Sequence, residues 1–270
     1  MPKQSTGQPV RSAERMLAVL EMFSFDRPAL SVAEVSTGLG LATSTVRRLL
    51  NVLEAHGFVR YSAQSGKFAP DFQVVRLAAV AVEGNDLLAA AAAVLDGLRE
   101  RTGEACQLTV LSGGEVVFVD RRESQSVIRI FSPIGFRSPA WDGRASGKAL
   151  MAWLPANEVE GLLPGAEEWQ KGSGPNAAED PAEFMARLAV VREQGYAVND
   201  EETERDVWAV AAPVRDHSGR VVAAVNVPVL KARVVQDDRA GELTEAVVAA
   251  AEEVSRALGS YRGPSGRQSR

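Results

Sequence analysis

Four side chains able to read a nucleobase recur at helical spacing: Ser44, Arg47, Arg48 and Asn51. A guanidinium forks onto guanine O6 and N7, a carboxamide pairs with adenine, and hydroxyls at a helix start bond phosphate. Thr43, Ser44 and Thr45 occupy such a start, and Lys67 adds a cation for the duplex backbone. On an isolated helix the same residues would merely solvate an exposed face. The flanking segments therefore carry the decision.

Other arrangements invite different chemistry and fail on spacing. Gly143-Arg144-Ala145-Ser146-Gly147-Lys148 resembles a phosphate loop, but it has three residues between its glycines where that loop has four, and Ala149 stands where a metal-binding hydroxyl belongs. Cys106 lies in an apolar segment, and neither His56 nor His217 is placed as its base. Two histidines and one cysteine give no metal-ligand cluster and no internal disulfide, so no cofactor is expected. The run Asp200-Glu201-Glu202-Thr203-Glu204 offers paired carboxylates, although a charge run in a loop usually forms a solvated surface.

The elements around the basic face explain it better. Met16, Val19, Leu20 and Phe23 lie on one face of a helix expected from about Ser12 to Phe25. Ser31 and Glu34 form a capping box for a short second helix carrying Val32, Val35 and Leu39. Gly38 and Gly40 allow the turn into a third helix, Ala42 to His56. There Val46, Leu49, Leu50 and Leu53 make the core stripe, and Ser44, Arg47, Arg48 and Asn51 lie about 200° around the axis. Phe58–Tyr61, a polar turn and Lys67–Ala69 then read as a β-hairpin wing. Together these segments spell a winged helix-turn-helix.

Charge agrees once it is divided by region. The chain has net charge −5, yet residues 1–70 hold eight Lys/Arg against five acids, +3, which leaves −8 for the remainder. A basic module on an acidic body suits duplex binding, because phosphate contacts need local cations.

At 270 residues, with 46% hydrophobic and 24% charged content, two folded domains are the default expectation. The expected division is a flexible tail at 1–9, the DNA-binding domain at 10–70, a linker helix at 71–85, a larger domain at 86–260 and a tail at 261–270. The linker is apolar around most of its circumference, with Phe72, Val75, Leu77 and Val82, and is expected to pair with a second copy. The larger domain reads as a helix to Thr102 and strands at 105–111, 115–121 and 127–131. Helices at 146–153 and 181–194, strands at 207–215 and 221–229, and a final helix at 238–258 follow. Short turns between neighbouring strands imply an antiparallel sheet flanked by helices, an α+β class. The longest apolar runs fall well short of the roughly 20 residues that span a bilayer, so a cytoplasmic protein is expected.

Several segments resemble the IclR-type transcriptional regulators, from about Val10 to Leu258. They are Ala13–Leu17, Ser44–Leu50, Ser146–Leu150, Glu193–Ala197 and Val210–Val214. The resemblance implies a GAF-like C-terminal domain that binds a small organic effector, and dimers or tetramers that repress or activate catabolic genes. It also carries the effector pocket onto Ala145, Ser146, Asp200, Ala209, Asn226 and Pro228. Here the chain departs from its relatives, which often have Arg-Cys at Trp208-Ala209, serines at Asn226 and Pro228, and Leu-His at Trp141-Asp142. If Trp141 and Trp208 line the pocket, lost polar anchors and added flat area favour an aromatic effector. The alternative places both indoles in the core.

The expected function is thus a ligand-responsive DNA-binding regulator, a repressor of a catabolic operon, whose partners are double-stranded operator DNA and an effector. Two alternatives stay open: a second domain that only oligomerises, and an enzyme using the 200–204 acids.

Overall fold

The computed structural model describes residues 11–165, 169 and 174–260. The tails expected at 1–9 and 261–270 lie outside the described residues. The chain divides into two units, Met1–Asn85 and Asp86–Arg270.

The N-terminal unit contains α1 (Arg11–Glu21), α2 (Val32–Leu39), α3 (Thr43–Ala55), β1 (Val59–Ser62), β2 (Lys67–Pro70) and α4 (Phe72–Glu83). Helix α1 stops before the expected Phe25, because Ser24 and Arg27 exchange backbone hydrogen bonds in a turn. The capping box at α2 forms: the Ser31 hydroxyl accepts from the Glu34 amide at 3.2 Å, and the Ser31 amide donates to the Glu34 carboxylate at 2.6 Å. Gly40, at φ 63°, ends α2 in a left-handed conformation that suits glycine. Val46, Leu49, Leu50 and Leu53 are the buried residues of α3. They pack with Val19, Leu30, Val35, Val59 and Phe68 in one cluster. Each such aliphatic side chain, once buried, contributes about 1.5 to 3 kcal/mol. Strands β1 and β2 pair antiparallel, and Leu30 bridges to Phe68, which ties the wing to the entrance of α2. Helix α4 buries no residue within its own chain.

The C-terminal unit begins with α5 (Asp86–Thr102), β3 (Cys106–Ser112), β4 (Glu115–Arg122) and β5 (Arg137–Pro139). Next come α6 (Ala145–Met151), α7 (Ala156–Leu162), α8 (Pro181–Gln194) and β6 (Ala197–Asp200). It closes with β7 (Val207–Arg215), β8 (Val221–Leu230), α9 (Lys231–Gln236) and α10 (Ala240–Ala257). The strands form one six-stranded sheet in the order β5-β4-β3-β8-β7-β6, every pair antiparallel. Helices α5 and α10 cover one face, and α6 and α8 cover the other. The α+β class is the one expected.

One local expectation is corrected. Residues 127–131 form no strand. Local turns at Ser124–Ser126 and Pro133–Phe136 flank the stretch, the Arg233 guanidinium donates to the Ile128 carbonyl, and the edge of β4 is paired by Arg137–Pro139. The helix expected at 238–258 forms as α10, and a short α9, which was not foreseen, precedes it with Asp238 at φ 48° between the two. Strand β6 and helix α7 were not foreseen.

Candidate functional site

On α3, Thr43, Ser44, Arg47, Arg48 and Asn51 are exposed and Thr45 is half-buried, while the opposite stripe is buried. The helical period therefore separates core from solvent face as the spacing requires. Thr43–Thr45 form the first turn, and no side chain caps its amides. Among the described residues no ion pair engages Arg47 or Arg48, so both cations remain available to a partner. Lys67 is different. Its ammonium binds Glu34 at 3.0 Å, which joins the wing to the capping box and answers its charge internally. The Ser31 amide foremost, with the Ser31 and Lys67 side chains, holds the Glu34 carboxyl down to about 2. Arg60, exposed on β1, is the wing cation that spacing alone did not single out.

The second site lies in the C-terminal unit, on the sheet face beneath α6. Register builds its floor. Gln107 on β3 pairs with Asn226 on β8, Pro228 with Ala209 on β7, and Ala209 with Asn199 on β6. Paired residues share a face, so these five converge. Arg144, Ala145 and Ser146 close the space at the start of α6, with Phe118, Ile130 and Ser132 at the side, around a small cavity of about 30 Å³ partly open to solvent.

Two polar groups in this floor are unanswered. Gln107 and Asn226 are 1% and 5% exposed. The Asn226 amide donates to the Gln107 carbonyl at 2.6 Å, which leaves Gln107 Nε2 and Asn226 Oδ1 buried without partners among the described residues. Asn199 differs: its amide group bonds the Thr203 hydroxyl at 2.9 Å and its carbonyl accepts from the Glu202 amide at 2.8 Å. It fixes a turn. Arg144 binds Asp142 at 2.8 Å and lies over the Phe136 ring.

Of the expected effector residues, Ala145, Ser146, Ala209, Asn226 and Pro228 line this cavity, and three do not. Trp208 alternates with Ala209 along β7 and so enters the core beneath α5 and α10 on the opposite face. Asp200 pairs across the sheet with Trp208, shares that face, and binds Lys231 at 2.8 Å. Trp141 stacks on Trp169 with ring centres 5.5 Å apart, in a separate cleft. Neither indole lines this cavity, so the flat apolar area expected from them is absent from its lining. Gln107, a polar residue inside an apolar strand, was the signal that composition offered and spacing did not use.

The remaining candidates resolve into structure. A Cβ at Gly147 would lie 2.1 Å from the Ala140 carbonyl oxygen, so that glycine serves close packing. Lys148 is buried against Glu202, which also binds Arg187 at 2.8 Å. Burial pushes the Lys148 ammonium below its ordinary range, opposed by Glu202. Glu201 binds Lys231 at 2.5 Å, which holds its carboxyl low. Burial pushes the Cys106 thiol up to about 12, away from a reactive thiolate.

Comparison with known proteins agrees with this division. Residues 12–63 match the IclR helix-turn-helix domain, and residues 79–256 match the bacterial transcriptional regulator IclR C-terminal domain. The HTH-type transcriptional regulator XynR of Escherichia coli is 34% identical over 250 residues, 93% of this chain and 98% of the relative. The HTH-type transcriptional repressor AllR of Salmonella paratyphi A is 29% identical over 92% of this chain and 90% of its own. A crystal structure of an IclR homologue from Microbacterium hydrocarbonoxydans, complexed with 4-hydroxybenzoate, superposes with a TM-score of 0.78 at 23% identity. It covers 92% of this chain and 98% of that one, and shares its fold.

Proposed function

The chain belongs to the IclR family, it is a DNA-binding transcriptional regulator, and on that premise we propose that it represses a catabolic operon until a small organic effector enters the cavity above Gln107 and Asn226. The exposed α3 face carries the reading: two exposed arginines and an asparagine, with helix-start amides that no side chain caps among the described residues, match the chemistry of base edges and phosphates. The AllR repressor supports the sign of regulation, and the homologue that holds 4-hydroxybenzoate supports an organic effector.

A dimer follows from α4. Phe72, Val75 and Val80 are 82%, 63% and 62% exposed on a helix with no buried residue, and a second copy would remove that area from water. Paired heads would then read two half-sites. The location is cytoplasmic on this reading, where operator DNA and metabolites meet. No single helix among the described residues is long and apolar enough to cross a membrane.

Titration of the full chain onto duplex from upstream of its own gene, against random duplex at two salt concentrations, tests the proposal. Preference for the upstream duplex, with affinity falling as salt rises, is the expected result. Equal affinity for both duplexes would sink it. The reading in which the C-terminal unit only oligomerises predicts no small-molecule effect on that titration.

A further inference from the structure

We propose that Gln107 and Asn226 act together as a neutral reading pair for the effector, selecting a group that both donates and accepts a hydrogen bond, a hydroxyl or a carboxamide, over a carboxylate or an ammonium. The inference rests on the sensing role proposed for the cavity and names what the cavity selects.

The pair is buried and mutually bonded, yet one donor, Gln107 Nε2, and one acceptor, Asn226 Oδ1, are left over, and both residues line the cavity. Exchanging the nitrogen and oxygen ends of both amides leaves the same remainder, one donor and one acceptor, so the conclusion does not depend on amide orientation. A hydroxyl answers both with a single oxygen, and a carboxamide does so with its two ends. A carboxylate only accepts and would set its lone pairs against those of Asn226. An ammonium only donates and would oppose Gln107. Unanswered buried polar groups are costly, so the pair gains most from the ligand that satisfies both. The other amide in the floor, Asn199, is already occupied by Thr203 and Glu202, which confines the selection to Gln107 and Asn226.

The experiment uses the full chain and two matched acid series in calorimetric titration: propionate, 3-hydroxypropionate and malonate; benzoate, 4-hydroxybenzoate and terephthalate. In at least one series the hydroxylated member should bind roughly tenfold or more tighter than both others. The double variant Gln107→Met/Asn226→Leu removes both leftover groups at similar volume, so its unliganded melting temperature should not fall, while the hydroxyl preference shrinks to about twofold or less. Gln107→Glu, nearly isosteric, replaces the leftover donor with an acceptor whose charge weakens every acid, so its readout is the ratio of the hydroxylated to the unsubstituted member, which should fall; it serves if the double variant does not fold. Binding without a preference for the hydroxylated member in either series, or a preference that survives in both variants, would overturn the reading pair while leaving the cavity as the effector site. Binding of no member in either series would count against the sensing role itself, and the reading pair would fall with it.

Discussion

Asn51 and Asn226 carry the same carboxamide and meet opposite fates. Asn51 stands on the solvent face of α3, where water satisfies it at no cost until a duplex arrives. Asn226 is 5% exposed, bonded at one end to Gln107 and unanswered at the other. An exposed amide is cheap to keep and suits a large polyanionic partner that brings many contacts at once. A buried, half-answered amide costs about 1 to 3 kcal/mol while it waits, and only a small molecule can reach it. The N-terminal unit thus stores its specificity on a surface and the C-terminal unit stores it in a floor.

The largest test of that contrast is Trp208→Ala. Trp208 fills the core beneath α5 and α10 rather than the cavity, so the substitution should cost about 3 to 5 kcal/mol in chemical denaturation of the C-terminal unit. A loss of effector affinity without loss of stability would return the indole to the cavity. Arg47→Ala comes next. It should remove roughly 1 to 3 kcal/mol of discrimination between operator and random duplex in anisotropy titrations, with thermal stability unchanged because the side chain is exposed. A fall in melting temperature of the size expected for a core substitution would contradict a purely external role.

Smaller again is Ser31→Ala, which breaks the capping box of α2 and should lower stability of the N-terminal unit by about 1 kcal/mol in thermal unfolding. Glu34 gives this box a pH signature. Its folded carboxyl lies at about 2, below the ordinary 4.5, so its contribution is fully present above about pH 4.5 and is lost as pH falls towards 2. An NMR titration of the Glu34 carboxyl should show that low midpoint, and Lys67→Ala should move it upward. The least effect belongs to Cys106. Buried, and with its thiol pushed up to about 12, it should resist iodoacetamide at pH 8 in the native chain and react after denaturation.

How much of each site the sequence disclosed follows from the range of the interactions that build it. The α3 faces were legible because a helix repeats every 3.6 residues, and Val46, Leu50, Arg47 and Asn51 lie within three turns of one another. The capping box spans only three residues, Ser31 to Glu34. Lys67 was legible as a wing cation but not as the partner of Glu34, 33 residues away. The strand expected at 127–131 had the right apolar content, and the sheet edge was taken instead by Arg137–Pro139.

By itself, then, the sequence determined the helical module, its core stripe and its exposed basic face, because those depend on local periodicity and capping. Alternation along a strand also puts Trp208 and Ala209 on opposite faces, although the expected pocket drew on both. Which of those faces carries the cavity was decided only by the tertiary structure. Strand register brings Gln107 against Asn226 across 119 residues of chain, and the packing of α6 on that same face turns an apolar strand's one odd glutamine into half of a buried polar pair.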